Sequence, residues 1–245
     1  MFAQQSLSSG HISYLQQSGA QPGVIFLHGF KSDMLGGKAT ALAEFCTARG
    51  QAFLRFDCRA HGQSDGDFSD FTIGGALEDT LHMLDNLTTG PQILVGSSMG
   101  GWLAFLCALH RPQRIKAIIG IAPAPDFTDQ IYHDDLNDVQ RAELKATGQT
   151  FMPSEYGKPY LITKKLINDG RNHFVMDRLG DIKCPLRILH GQQDVDVDWR
   201  QSEEIIRRWG GDAQVTFIPD GDHRLSRADD LAELQRITAQ LLAPA

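Results

Sequence analysis

Apolar residues in this chain fall into two alternating rhythms, and together these outline the fold. Gly23–Leu27, Ala52–Phe56, Ile93–Val95, Ala117–Ile121, Leu186–His190 and Gln214–Ile218 are short, mostly continuous runs rich in β-branched and aromatic residues. Such runs predict strands buried on both faces. Residues 11–16 alternate weakly and predict an edge strand. Between the runs, apolar positions recur at helical spacing. Ile73, Leu77, Leu81, Leu84 and Leu87 share one face. Further helices are predicted over 38–49, 102–109, 199–209 and 229–242, the first stopped by Gly50. Strands alternating with helices predict an α/β fold, a mostly parallel, doubly wound sheet with helices on both sides.

The rhythm breaks once. From Asp126 to Lys183 no clear strand is visible; short helical patterns carry Phe127, Tyr132, Phe151, Tyr156, Tyr160 and Phe174. A stretch this long is not an ordinary loop. It predicts a helical lid over 126–183, inserted into a core made of 1–125 and 184–245. Its aromatics are candidates for an acyl-chain site or for packing the lid onto the body. Lys158, Lys164, Lys165 and Arg171 form either a solvated basic face or a contact for an anionic leaving group.

Chemistry concentrates at one strand–helix junction. Ile93-Leu94-Val95 runs into Gly96-Ser97-Ser98-Met99-Gly100-Gly101 and then into Trp102-Leu103-Ala104. The pattern G-x-S-x-G on so sharp a turn strains the central residue and lifts its hydroxyl above the sheet. Ser98 is therefore the candidate nucleophile. A serine needs a base within hydrogen-bond reach, and in parallel sheets reactive groups gather beyond the carboxyl ends of strands. Asp194 follows the strand ending at His190, and His223 follows the last strand. Asp196 and Asp198 are alternatives to Asp194 if the loop is shifted, whereas Asp222 reads as a turn-former. The oxyanion donors expected are the N–H of Met99, opening the helix, and that of Phe30, after His28-Gly29. His28, Gly29, Asp57 and His61 read as loop architecture, and His133 and His173 as solvated.

The order Ser98, Asp194, His223 and the turn around Ser98 resemble those of the α/β-hydrolases along nearly the whole chain. Gly90–Trp102, Gly29-Phe30-Lys31-Ser32-Asp33-Met34, Arg55-Phe56-Asp57 and Gly221-Asp222-His223-Arg224 most resemble a narrower branch, that of the acyl-protein thioesterases and acyl-glucuronide esterases. The resemblance implies an α/β-hydrolase fold and a serine hydrolase of carboxylic esters and thioesters, acting on small-molecule or acyl-protein substrates. A serine at position 98, rather than an aspartate or cysteine, favours acyl transfer to water. An acyltransferase on the same three residues, or a non-catalytic ligand receptor, are the other readings.

Bulk properties narrow this further. A length of 245 residues with 42% hydrophobic content supports one full core, and no internal repeat is visible. A net charge of -7 disfavours nucleic acid as a partner. No apolar run approaches the roughly 20 residues of a membrane span. Met1-Phe2-Ala3-Gln4-Gln5 has neither the basic stretch of a leader nor the arginines of a transit peptide. Cys46, Cys58, Cys107 and Cys184 lack C-x-x-C pairing and read as reduced thiols, so a cytoplasmic setting is expected. No His or acidic group shows metal-ligand spacing; His28, His61 and His110 stand apart, and neither metal nor cofactor is expected.

Overall fold

The computed structural model describes residues 3–7, 10–153 and 159–243. Among the described residues ten strands are present: β1 (Ala3–Leu7), β2 (Gly10–Gln17), β3 (Ala20–Leu27), β4 (Gln51–Phe56), β5 (Gln92–Ser97), β6 (Ile115–Ile121), β7 (Gln149–Met152), β8 (Tyr160–Thr163), β9 (Leu186–Gly191) and β10 (Ala213–Ile218). The α-helices are α1 (Gly37–Ala48), α2 (Ile73–Leu87), α3 (Met99–His110), α4 (Phe127–Gln130), α5 (Asp138–Thr147), α6 (Lys164–Gly170), α7 (Arg200–Arg208) and α8 (Ala228–Leu242).

Eight strands form one sheet in the order β1-β2-β4-β3-β5-β6-β9-β10. From β4 to β10 every neighbour pair is parallel, while β1–β2 and β2–β4 are antiparallel. Alternate residues of the buried strands face two cores. Val24, Phe26, Ile93, Val95 and Ile119 pack with Leu42 of α1 and Leu234 of α8. Ile25, Leu27, Leu94, Ile118 and Ile188 pack on the other face with α2, α3 and Ile205 of α7. The sheet is thus doubly wound, as its hydrophobic runs require. From Met99 to Ala108, α3 is buried on all sides, which explains why its sequence is apolar all round.

Strand order places the chemistry. The chain leaves β3 for β4 on one side, then returns to β5 on the other, so the loops after β3 and β5 diverge. The crevice this opens at the carboxyl ends is where parallel sheets bind ligands.

The 126–183 segment leaves the main sheet between β6 and β9. It has a small core of its own, made by Ile131, Leu136, Leu144, Ile162 and Ile167. It is not wholly helical: β7 and β8 pair antiparallel, Gln149 opposite Thr163 through Met152 opposite Tyr160. Four-residue strands are too short to leave a periodic signal, so the linear pattern does not show this hairpin. The edge strand β1 leaves no apolar run either, being mostly exposed and polar. Tyr156 and Lys158, with Met1 and Phe2, lie outside the described residues. Among the described residues no helix is long and apolar enough to cross a membrane.

Both ends of the segment are tied at Asp126. This residue sits in the left-handed region (φ 58). Its carboxylate accepts the N–H groups of Val175 (2.8 Å) and Met176 (3.1 Å). Two further bonds pin the segment to the body: Asp169 accepts from Gly74 N–H (2.7 Å), and the Trp102 indole donates to the His173 carbonyl (3.0 Å).

Burial pushes the Asp126 carboxyl up to about 6, against the pull of its two N–H donors. Between its ordinary 3.8 and about 6, the folded state therefore holds a proton that the unfolded chain has released. Its contribution to stability is complete below about 3.8 and lost as pH rises through about 6. Asp126→Asn keeps tolerance of the left-handed backbone but cannot ionise. Thermal unfolding from pH 4 to 7 should show wild type losing more Tm than the variant; parallel curves would show that Asp126 does not titrate there.

Candidate active site

Ser98 lies between β5 and α3 with φ 53 and ψ -117, a conformation L-residues avoid. The surroundings impose it. Ser98 N–H donates to the Ile121 carbonyl (2.9 Å), and the Ser98 carbonyl accepts from Gly101 (2.9 Å) and Ala124 (3.2 Å). Two glycines let the turn close. A Cβ on Gly96 would stand 2.2 Å from the Gly100 carbonyl oxygen, and one on Gly100 would stand 2.1 Å from that of Leu27. Strain held by packing on both sides is a mark of functional turns.

This turn borders a cavity of about 540 Å³, whose lining includes Ser98, His223, Phe30 and Lys38. His223, from the loop after β10, has Nδ1 2.7 Å from Asp194 Oδ2. Asp194, from the loop after β9, has a fully buried side chain. Its other oxygen accepts the N–H groups of Asp196 and Val197, both at 2.9 Å. Burial alone would raise its pKa, but the hydrogen bonds from His190 and His223 outweigh it and hold the carboxyl well below the usual range. Asp194, rather than Asp196 or Asp198, is thus the acid hydrogen-bonded to His223. Asp222 caps its own turn through Arg224 and Leu225 N–H.

Met99 N–H belongs to the first turn of α3, where no helical carbonyl can accept it and the helix dipole is positive. Phe30 follows Gly29, which packs against Ser98: a Cβ on Gly29 would lie 3.4 Å from the Ser98 Cβ. The Phe30 ring is the hub of an aromatic wall, with centroids 5.2 Å from Phe68, 5.6 Å from Phe127 and 5.9 Å from Tyr160.

Buried polar groups hold that loop. His28 Nδ1 lies 2.8 Å from the Gly29 carbonyl, and its Nε2 accepts from Cys58 N–H at 3.0 Å. His61 repeats the arrangement: Nδ1 faces the Arg59 carbonyl (3.1 Å), and Nε2 accepts from Lys31 N–H (3.2 Å). Each ring is therefore the neutral Nδ1–H tautomer. Burial lowers the pKa of His28, and burial with the neighbouring His28 takes His61 down to about 3. The two rings, far apart in sequence, stand 4.9 Å apart. Asp57 joins the same loops by accepting from Met34 (2.7 Å) and Gln63 (2.8 Å).

Three features were not anticipated from the sequence. Lys38, at the start of α1, lines the cavity and donates to the Arg224 carbonyl; burial pulls its pKa down to about 8. A π-helical turn, Ile131–Asp135, supplies cavity wall from the 126–183 segment. His190, behind Asp194, bonds it directly; a histidine closing an apolar strand was the available signal. By contrast, Lys164, Lys165 and Arg171 do not line the cavity: Lys165 pairs with Asp70 (2.8 Å) and Arg171 stacks on Tyr132. Among the described residues, Asp194, Asp196 and His223 are the group close enough to share a cation, within 4.8 Å. Two of them are already bonded to each other.

Comparison with known proteins agrees with this architecture. Residues 24–234 match the alpha/beta hydrolase family. The chain is 38% identical over 224 residues to the palmitoyl-protein thioesterase ABHD10, mitochondrial, of mouse, covering 90% of this chain and 75% of that protein. The human counterpart is 36% identical over the same shares but 73% of its length. The solved alpha/beta hydrolase domain-containing protein 10 from mouse superposes with a TM-score of 0.91 at 36% identity, covering 98% of each chain. A solved protein of Agrobacterium vitis S4 gives 0.92 at 35% identity, over 99% and 98%. These relatives correct one expectation. The ABHD10 proteins are mitochondrial by name, so a cytoplasmic setting is not supported. Reduced thiols report a reducing compartment and do not say which one.

Gly100→Ala tests the turn. With 2.1 Å to a backbone oxygen, no side-chain movement relieves the clash, so a stability loss of about 3 kcal/mol or more is expected in denaturant unfolding. A loss below about 1 kcal/mol would mean that the turn yields easily.

Proposed function

Because the chain belongs to the alpha/beta hydrolase family, we propose that it hydrolyses carboxylic esters and thioesters through Ser98, His223 and Asp194, by way of an acyl-enzyme. One observation carries the reading. The strained Ser98 shares its cavity with His223, the imidazole bonded at 2.7 Å to a buried, ionised Asp194.

The chemistry follows. Asp194 accepts from His223 Nδ1–H, so Nε2 of the neutral ring is left as the base. Ser98 Oγ adds to the acyl carbonyl carbon while its proton passes to Nε2. The new oxyanion takes hydrogen bonds from Met99 and Phe30 N–H, each donor worth about 3–4 kcal/mol in such sites. Collapse breaks the bond to the thiolate or alkoxide, which leaves with the proton from His223. Water, deprotonated by the same ring, then releases the acid and restores Ser98. No step calls for a group beyond these side chains and water.

Cavity composition supports an acyl substrate. Phe30, Phe127, Ile131, Met152 and Tyr160 give one wall an apolar surface, four of the five coming from the 126–183 segment. We assign that wall to the acyl chain and the segment to a lid over it. The relatives named as palmitoyl-protein thioesterases point to long acyl chains on protein thiols as the substrate class.

Labelling with a fluorophosphonate should modify wild type and not Ser98→Ala, and hydrolysis should fall by about 10⁴-fold or more in the variant. Equal labelling of both proteins would refute the assignment. Across a thioester series, kcat/KM should rise by up to about fourfold per added methylene, the equivalent of about 0.8 kcal/mol each, until the wall is filled. A series without chain-length dependence would remove the acyl role of the wall.

A further inference from the structure

We propose that His190 is a positioning residue for the hydrolytic site: it donates a second hydrogen bond to the Asp194 oxygen that faces His223, and so sets how strongly Asp194 holds the imidazolium formed during acyl transfer. This inference rests on the roles assigned above to Ser98, His223 and Asp194.

His190 lies near the end of β9 with its side chain fully buried. Its Nε2 is 3.1 Å from Asp194 Oδ2 and 3.1 Å from the Val197 carbonyl oxygen. A carboxylate and a carbonyl can only accept, so Nε2 must carry the hydrogen. Nδ1, 2.6 Å from Ser202 Oγ, is then the acceptor and the buried Ser202 hydroxyl the donor. Both ring nitrogens are satisfied in one tautomer, and that tautomer points an N–H at Asp194.

Asp194 is therefore bonded on both oxygens. Oδ1 takes two backbone N–H groups, and Oδ2 is shared by two imidazoles, at 2.7 Å to His223 and 3.1 Å to His190. Sharing has two consequences. It fixes the rotation of the carboxylate, so Oδ2 stays aimed at His223 Nδ1. It also divides the charge at Oδ2, so the bond to a protonated His223 is weaker than an undivided carboxylate would make it. A more weakly held imidazolium gives up its proton to the leaving group more readily.

The charged groups facing His190 are few. Asp194 comes from its own loop, with Asp196 farther along and His223 across Asp194. Helix α7 presents Ser202, β10 sets Phe217 beside His190, and the neighbouring β6 ends in Ile121; Asp220 and Asp222 lie in the loop after β10 that carries His223.

The test uses the full chain with His190→Leu and His190→Asn, which remove the donor at Oδ2, and His190→Gln, whose amide reaches the same position. The acid limb of the kcat/KM profile should move up by about 0.5–1 pH unit in the first two, so relative activity at pH 6 falls about 3- to 8-fold. His190→Gln should keep the wild-type limb, an outcome that a purely space-filling role does not predict. ¹⁵N-histidine spectra supply a readout independent of turnover. Neutral wild-type His190 should show the Nε2–H tautomer, and the His223 titration midpoint should move up in the Leu and Asn variants. An Nδ1–H tautomer for His190, or coincident His223 titrations in wild type and the donor-less variants, would overturn the proposal. Loss of Ser98-dependent turnover would overturn the function instead, and the spectra would still decide the role of His190.

Discussion

Close approach of backbone to backbone at Ser98 is the constraint around which the molecule is arranged. Strand β5 must turn into α3 within one residue, and the space for that turn exists because Gly96 and Gly100 have no side chains. The glycine at 100 lies against the end of β3, so the turn and the central strand cannot separate without opening the crevice between them. Hydrogen bonds to Ile121, Gly101 and Ala124 hold the strained residue from the other side. Its conformation is thus maintained by the surrounding packing, which keeps Ser98 on the cavity wall.

Around that rim, buried polar groups do the positioning that apolar packing cannot. Loops after β3 and β4 would splay apart if only hydrophobic contacts joined them, since such contacts have no direction. His28, His61 and Asp57 supply direction, each joining backbone groups of two loops. Two of the three are histidines kept neutral by burial, so they carry one donor and one acceptor each and lose nothing to an unpaired charge. The Asp194 loop uses the opposite solution. There a full charge is buried, and four hydrogen bonds offset the desolvation.

The 126–183 segment has a core of its own and a separate set of ties to the body. Asp126 closes its neck, while Asp169 and His173 fasten its far part to α2 and α3. Those ties leave Phe127, Ile131, Met152 and Tyr160 on the cavity side. The proposed reaction assigns selectivity to one part of the chain and reactivity to another, and each part is held by its own contacts.

Most of the sheet could be read from the linear pattern, because strands buried on both faces must be apolar throughout and their spacing leaves room only for crossover helices. The turn at Ser98 was legible for a similarly local reason: glycine, serine and glycine at that spacing describe a backbone shape. Asp194 and His223 were named by position after strands, yet which of Asp194, Asp196 and Asp198 bonds His223 lay in a loop whose path no periodicity encodes. The β7–β8 hairpin was too short, and β1 too polar, to announce itself. Lys38 and the paired His28 and His61 rings acquire meaning only from neighbours brought across tens or hundreds of residues, and His190 from a loop and a helix start that fold back onto it from 4 to 12 residues on. Local sequence determined the elements and the strained serine, since both depend on covalent geometry and periodic burial. The partners of each buried polar group were decided by tertiary packing alone, because a hydrogen bond depends on distance and angle between groups that the chain order leaves unspecified.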